Sequence, residues 1–138
     1  TANSAVQSVI DSSPDQCFGM DFEWRPEFVK GIKNRIAVIQ VSSGSRAVVL
    51  HVSSFDFQLP NVLSNLFLDC NATLVMLGGS EDLKRLESTF GITPKHIMAR
   101  VVDVQGIAKK LGYNKLSLQS LTQVQRSPYT SHNKTTIS

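Results

Sequence analysis

The sequence predicts an α/β domain in which a mixed five-stranded sheet is flanked by helices. Apolar runs typical of strands come first along the chain, and segments with helical spacing then alternate with further strands. A tight turn between the second and third strands makes that part of the sheet antiparallel, whereas strand–helix alternation adds parallel strands. A length of 138 residues with 41% hydrophobic content suits one domain with a single core.

The first half of the chain supplies three of the strands. Residues 1–14 are predicted to form an N-terminal arm or short helix that ends near Ser12-Ser13-Pro14. Arg25-Pro26 ends the first strand, and Ser42-Ser43-Gly44-Ser45 is a turn that joins the next two as a hairpin. The predicted strands are Cys17 to Trp24, Arg35 to Val41 and Arg46 to Val52.

The second half alternates helices and strands. Apolar residues between Leu59 and Cys70 recur at three and four residues, which predicts a helix packed on the sheet. Ser80 is the expected N-cap of a second helix that ends at Gly91. The remaining predictions are strands at Thr73 to Leu77 and Ile97 to Val102, and short helices at Val104 to Leu111 and Ser117 to Val124. We expect the domain to cover residues 15–125 and residues 126–138 to form a loose polar tail.

Composition excludes several classes of protein. No apolar run approaches the roughly 18 residues of a membrane span, and the first residues lack a basic start and an apolar signal core. These observations predict an intracellular protein of the nucleus or cytoplasm that has no membrane partner. Cys17 and Cys70 each adjoin an apolar segment and are expected to be buried free thiols. A net charge of +3 is compatible with a polyanionic partner but too small to predict one.

The hexapeptide Gly19 to Trp24 carries the most informative pattern. In a strand, Asp21 and Glu23 lie on the same face, and Trp24 points to the opposite one. Two neighbouring carboxylates repel each other and are costly to desolvate, so they favour a cation that prefers oxygen ligands, such as Mg²⁺ or Mn²⁺. The alternative is an edge strand whose outward face happens to carry two acids.

The strand order suggests how a third acid joins the pair. It is ribonuclease-H-like, and in such a sheet the first strand is central and lies near the N-terminus of a later helix. Asp82 occupies that helix N-terminus, although an acid in a first turn also stabilises the helix dipole without any further role. Lys84 and Arg85 are expected on the polar face of the same helix, with no function.

The chain resembles the 3′–5′ exonuclease domains of the Asp-Glu-Asp-Asp superfamily, within the Werner-syndrome-type and ribonuclease D branch. The resemblance runs from about Cys17 to about Val124. It rests on Gly19-Met-Asp-Phe-Glu-Trp24, Arg35-Ile-Ala-Val-Ile-Gln-Val41, Leu77-Gly-Gly-Ser-Glu-Asp-Leu-Lys-Arg-Leu86, Val102-Asp-Val-Gln105 to Leu111-Gly112 and Leu116-Ser-Leu118.

The resemblance implies a two-metal phosphodiesterase site. Asp21, Glu23 and Asp82 match the catalytic and metal-binding positions of the first and second motifs, with Mg²⁺ or Mn²⁺ as cofactor. Single-stranded nucleic acid or its 3′ ends are the implied partners. Asp103 does not match a ligand position, and we expect it to support or cap a neighbouring segment instead.

The third motif of the family is not recognisable. It consists of Tyr or His followed four or five residues later by Asp, yet no aspartate follows Asp103. Tyr129 has Asn133 in the place of the acid, and His132 has no acid at the required offset. Two hypotheses therefore stay open. The first is a metal-dependent exonuclease domain, weak or inactive in this chain, which would be a fragment of a longer protein or a variant with a replaced C-terminus. The second is a catalytically dead module that binds RNA, DNA or a protein.

Two further surfaces are predicted around the acids. Basic residues follow the acidic pair, where they could contact phosphates or form an ordinary solvated charge run: Arg25, Lys30, Lys33 and Arg35. The helix that carries the third motif would cover an apolar face of the sheet. Without it, that face is expected to support a homo-oligomer or a protein partner.

Overall fold

A computed structural model describes residues 1–126, which form a five-stranded mixed sheet in the order β3-β2-β1-β4-β5. The strands are β1 (Cys17–Trp24), β2 (Ile36–Ser42), β3 (Ala47–His51), β4 (Thr73–Met76) and β5 (Val101–Asp103). The helices are α1 (Ala2–Asp11), α2 (Asn61–Leu68), α3 (Ser80–Phe90), α4 (Lys95–Met98), α5 (Val104–Lys110) and α6 (Leu118–Arg126), with a short 3₁₀ helix at Val52–Phe55.

β1 is the central strand, as the sequence predicts. It pairs antiparallel with β2, where Asp21 lies opposite Gln40, and parallel with β4, where Gly19 lies opposite Val75. The hairpin of β2 and β3 extends one side of the sheet, and β5 adds in parallel to β4 on the other. The mixed five-stranded α/β prediction is confirmed.

The two faces of the sheet are covered unequally. Side chains alternate along β1, so that Phe18, Met20 and Phe22 are buried on one face. Apolar residues of the first four helices complete the same core: Val6, Val9, Leu63, Leu66, Phe67, Leu83, Leu86 and Ile97. The opposite face carries Asp21 and Glu23.

That opposite face keeps an open apolar groove of about 330 Å³. Gly19, Val49 and Val75 of the sheet line this groove, together with Leu118 of α6. Val49 is 58% exposed and Leu118 57% exposed, so the described part of α6 leaves the groove accessible. Asp21 is also part of the groove wall.

Several sequence-based boundaries are wrong in informative ways. The first two residues of the predicted fifth strand, Ile97 and Met98, belong to α4, which has Pro94 at its N-cap, and the strand starts only at Val101. Gly79 is the N-cap of α3, whereas Ser80 is already helical. Gly91 ends α3 in the left-handed conformation (φ 72°), as expected.

The environment of the two cysteines differs from the one that the sequence predicts. Cys17 is half-buried and Cys70 is exposed, so the prediction of buried thiols is wrong, although both are free. No helix within the described range is long and apolar enough to span a bilayer. The proposed polar tail begins at the last described residue, and the rest of it lies outside the described range.

Candidate active site

Asp21 and Glu23 project from the same face of the central strand. Phe22 between them is buried on the other face, in contact range of Phe67, with a distance of 6.4 Å between the ring centroids. The strand is therefore anchored from its apolar side, which fixes the direction of both carboxylates. Asp21 is half-buried, whereas Glu23 is exposed.

Asp82 comes to this pair from the first turn of α3. Its residue is 7% exposed, and its pKa is raised from 3.8 to about 7. Burial is the largest cause, followed by the negative charges of Asp21, Glu23 and Glu81. The structure therefore places the three predicted acids near enough for their charges to interact.

The acids do not form a closed ligand group. No set of three or more His, Cys, Asp or Glu side chains that could hold a metal ion occurs within residues 1–126. Carboxylate oxygens are nevertheless the donors that Mg²⁺ and Mn²⁺ prefer. A buried acid next to two like charges also lacks the positive neighbour that a cation would supply. The donor chemistry thus fits a divalent cation, although the ligand set is open.

Arg85, one turn after Asp82, has a structural role that the sequence analysis missed. It is 4% exposed, forms an ion pair with Glu27 and donates a hydrogen bond to the carbonyl oxygen of Asn34 at 2.7 Å. Its Cζ also lies 4.6 Å from the centre of the Trp24 ring. The prediction that Arg85 lies on the polar face of the helix is wrong, because the side chain is buried against the end of β1 and the segment that follows it.

Asp103 caps α5 and also binds the turn before α3. One carboxylate oxygen accepts hydrogen bonds from the backbone nitrogens of Gln105 at 3.0 Å and Gly78 at 2.9 Å. Gly78 has φ +63°, a conformation that favours glycine. The predicted capping role is confirmed, and it extends to the turn that leads to Asp82.

The four predicted basic residues flank or lie within the segment between β1 and β2. All are exposed: Arg25, Lys30, Lys33 and Arg35. Arg35 lies over the Phe57 ring, with 5.8 Å between its Cζ and the ring centre. None of the four has an acidic partner in an ion pair within residues 1–126. Tyr129, His132 and Asn133, which bear on the third motif, lie outside the described residues.

Comparisons with known proteins agree with this fold. A protein of Arabidopsis thaliana described as a 3′-5′ exonuclease is 30% identical over 123 residues, which cover 83% of this chain and 41% of that protein. Escherichia coli RNase D, an exoribonuclease involved in structured RNA processing, superposes with a TM-score of 0.66 at 20% identity, covering 96% of this chain and 32% of that one.

A further similar structure contains a bound metal ion of its own. A structure of Brucella melitensis NrnC with bound Mg²⁺ has a TM-score of 0.66 and 20% identity, and the match covers 93% of this chain and 60% of that one. The chain thus spans 41% of the Arabidopsis protein and 32% of RNase D. The family model for the 3′-5′ exonuclease matches residues 1–135. This chain belongs to the 3′-5′ exonuclease family.

Proposed function

We propose that this chain binds a divalent cation and the 3′ end of single-stranded nucleic acid at Asp21, Glu23 and Asp82, and that it hydrolyses the terminal phosphodiester weakly. The observation that carries the proposal is the position of the buried Asp82 beside Asp21 and Glu23 on the central strand. Burial and these like charges raise the pKa of Asp82 to about 7. A divalent cation would favour the ionised form and turn mutual repulsion into shared coordination.

The proposed chemistry divides between the cofactor and the chain. When bound, Mg²⁺ or Mn²⁺ supplies the charge that activates water and stabilises the leaving oxygen. Asp21 and Glu23 would hold the metal from the rigid central strand, and Asp82 would do so from α3. Asp103 would keep the turn before α3 in place through its hydrogen bond to Gly78.

Weak hydrolysis is proposed for these 138 residues because no aspartate follows Asp103 among them. A two-metal site needs several converging carboxylates, and the attacking water must also be oriented. Losing one ligand and the water-positioning group is expected to cost several kcal/mol in the transition state. NrnC has been solved bound to pGG, which supports a nucleic-acid ligand for this fold.

A nuclease assay against metal concentration tests this proposal. Labelled single-stranded and 3′-recessed RNA and DNA would be incubated with Mg²⁺ or Mn²⁺, and the products resolved nucleotide by nucleotide. We expect slow 3′–5′ shortening that Asp21→Asn abolishes. Lys84→Ala is a matched control on the surface of α3, because Lys84 is exposed. Robust processive digestion would show that another group replaces the missing acid.

The second candidate function is a binding module without catalysis. The observation that favours it is the open groove beside Asp21, whose lining includes the exposed Val49. An apolar sheet face of this kind favours self-association or a protein partner. Light scattering coupled to size exclusion at several protein concentrations would test for a homo-oligomer, and Val49→Lys should abolish it. A strictly monomeric chain would leave a protein partner as the remaining form of this proposal.

A further inference from the structure

The segment from Arg25 to Arg35, here called the basic loop, is tied down at both ends. The Glu27 side chain pairs with the buried Arg85 and accepts a hydrogen bond from the backbone nitrogen of Asn34 at 2.8 Å. The side-chain nitrogen of Asn34 (Nδ2) donates to the backbone carbonyl oxygens of Arg25 at 3.0 Å and Pro26 at 3.2 Å. These bonds connect the two ends of the loop to each other and to α3.

The tip of this anchored loop is apolar. Phe28 is 92% exposed, Val29 is 60% exposed and Ile32 is 55% exposed. Single exposed apolar residues are common on protein surfaces. Three of them on a loop whose ends are held in place form a contact surface, since the entropy of ordering the loop has already been lost in the free protein.

The charge of the basic loop selects the kind of partner. It contains four basic residues and one acid, and Arg85 neutralises that acid, Glu27. A second copy of the chain would bring two positive loops together, which opposes self-association through the tip. Lys30 and Lys33 alternate with the apolar tip residues, a pattern that suits a polyanion with flat apolar surfaces.

A cleft at the base of the loop also combines basic and aromatic side chains. It has a volume of about 370 Å³, and its lining includes Arg25, Arg35 and Phe57. Phe57 is 44% exposed. Cations and aromatic rings therefore occur together at both the tip and the base of the loop.

We infer that the basic loop is a preorganised binding surface for single-stranded nucleic acid, on which Phe28 stacks against an unpaired base while Lys30 and Lys33 contact phosphates. Phe28 follows Glu23 by five residues, so their Cα atoms are at most about 18 Å apart. The stacked base would thus be a few nucleotides from the reacting phosphate. The inference rests on the proposed function for the identity of the ligand, but it does not require hydrolysis.

Binding measured without divalent metal separates the two proposals. Fluorescence anisotropy of labelled oligouridylate and oligothymidylate would be recorded in EDTA, where cleavage does not interfere. Phe28→Ala should weaken binding about five- to tenfold, since stacking on an aromatic side chain contributes at that level. Phe28→Trp should retain the affinity, whereas Phe28→Leu, which keeps an apolar tip, should lose most of it.

The charge contribution has its own signature. Replacing Lys30 and Lys33 together by Ala should reduce the slope of log K against log salt concentration by about 1.4 for a single strand. Phe28→Ala should leave that slope unchanged. Leu68→Ala and Lys95→Ala are matched controls, because both side chains are exposed and belong to α2 and α4 rather than to the loop or to α3, which anchors it.

Oligonucleotides that lack one base test directly whether Phe28 stacks on a base. A single abasic nucleotide, moved along the oligonucleotide, should weaken binding by the wild-type protein most at one position and have no extra effect on Phe28→Ala. Equal affinities of wild type, Phe28→Ala and Phe28→Leu would overturn the inference while leaving the metal-site proposal intact. Failure of the wild-type chain to bind either oligonucleotide at low salt would also overturn it. Phe28-dependent binding by a chain without nuclease activity would support the inference and contradict the hydrolysis proposal.

Discussion

Asp82 and Arg85 lie one turn apart on α3, and both are buried charged residues with opposite environments. Arg85 is 4% exposed and has Glu27, Asn34 and Trp24 around its guanidinium group. Asp82 is 7% exposed and has the like charges of Asp21 and Glu23 nearby. The same helix thus carries one charge whose partners the protein supplies and one whose partner is expected from outside.

The pKa shifts express this difference. The hydrogen bond from Arg85 lowers the pKa of Glu27, and the same bond raises the pKa of Arg85, so both groups are held in their charged forms. Burial and like charges raise the pKa of Asp82, which favours its neutral form. Arg85 has an opposite charge beside it, although its buried Nε has no hydrogen-bond partner, and losing Glu27 would leave that charge uncompensated. An acid that has only like charges beside it is typical of a functional site.

The largest expected effect concerns the pair of Arg85 and Glu27. Glu27→Ala leaves the buried Arg85 charge without its principal partner, so the free energy of unfolding should fall in urea denaturation at pH 7, and by more than in any other variant of this pair. Glu81→Ala is the matched control, because Glu81 is 3.5 Å from Arg85 but 49% exposed. It should cost less than about 1 kcal/mol. Equal losses in the two variants would contradict the assignment of Glu27 as the principal partner.

The free energy of unfolding, measured at several pH values, tests the raised pKa of Asp82. In the folded chain Asp82 keeps its proton up to about pH 7, whereas in the unfolded chain it loses the proton near 3.8. Between these values the folded state binds more protons, so the stability that Asp82 contributes falls as the pH rises. We expect the free energy of unfolding in EDTA to decrease by about 2 kcal/mol from pH 5 to pH 7.

Asp82→Asn isolates this contribution from other titrating groups. The variant should show a flatter dependence over the same interval, and it should be more stable than the wild type at pH 8. Glu27 has the opposite sign, because its lowered pKa gives stability that is present above its ordinary value of 4.5 and lost as the pH falls through the lowered value. A wild-type curve parallel to that of Asp82→Asn would contradict the raised pKa.

A bound divalent metal ion should give Asp82 an opposite charge, as Glu27 does for Arg85. A cation at ten times its dissociation constant stabilises the folded state by about 1.4 kcal/mol. Mg²⁺ or Mn²⁺ at pH 8 should therefore raise the thermal midpoint of the wild type but not that of Asp21→Asn or Asp82→Asn, as measured by differential scanning fluorimetry. Lys84→Ala should respond like the wild type. An equal rise in all variants would indicate metal binding elsewhere.

The sequence predicts features that depend on neighbouring residues better than contacts between segments that are far apart in the chain. Alternation along β1 was enough to place Asp21 and Glu23 on one face, because that information is contained within the strand. The role of Arg85 could not be predicted, since its partner Glu27 is 58 residues away and the pairing depends on the folded sheet. The helix α4 could have been predicted, because Pro94 at its start is a helix signal that outweighed the apolar residues Ile97 and Met98.

Asp103 differs from both Glu27 and Asp82, because its hydrogen-bond partners are neutral backbone groups. Its carboxylate accepts hydrogen bonds from two backbone nitrogens, those of Gly78 and Gln105, rather than from a cation. Asp103→Ala removes a helix cap and one bond to the turn before α3, so it should lower the free energy of unfolding by about 1 kcal/mol in urea denaturation. Asp103→Asn keeps an oxygen acceptor and should cost only about a few tenths of a kcal/mol.

The two variants also separate support from metal binding. Because Asp103 acts through an oxygen that accepts from backbone groups, Asn should retain both the stability and the stabilisation by Mg²⁺ at pH 8. Asp82→Asn should lose that stabilisation, since an amide does not supply the negative charge that attracts the cation. If Asp103→Asn lost the response to Mg²⁺ while keeping its stability, Asp103 would belong with the acids of the candidate site, and the predicted ligand set would gain a fourth member.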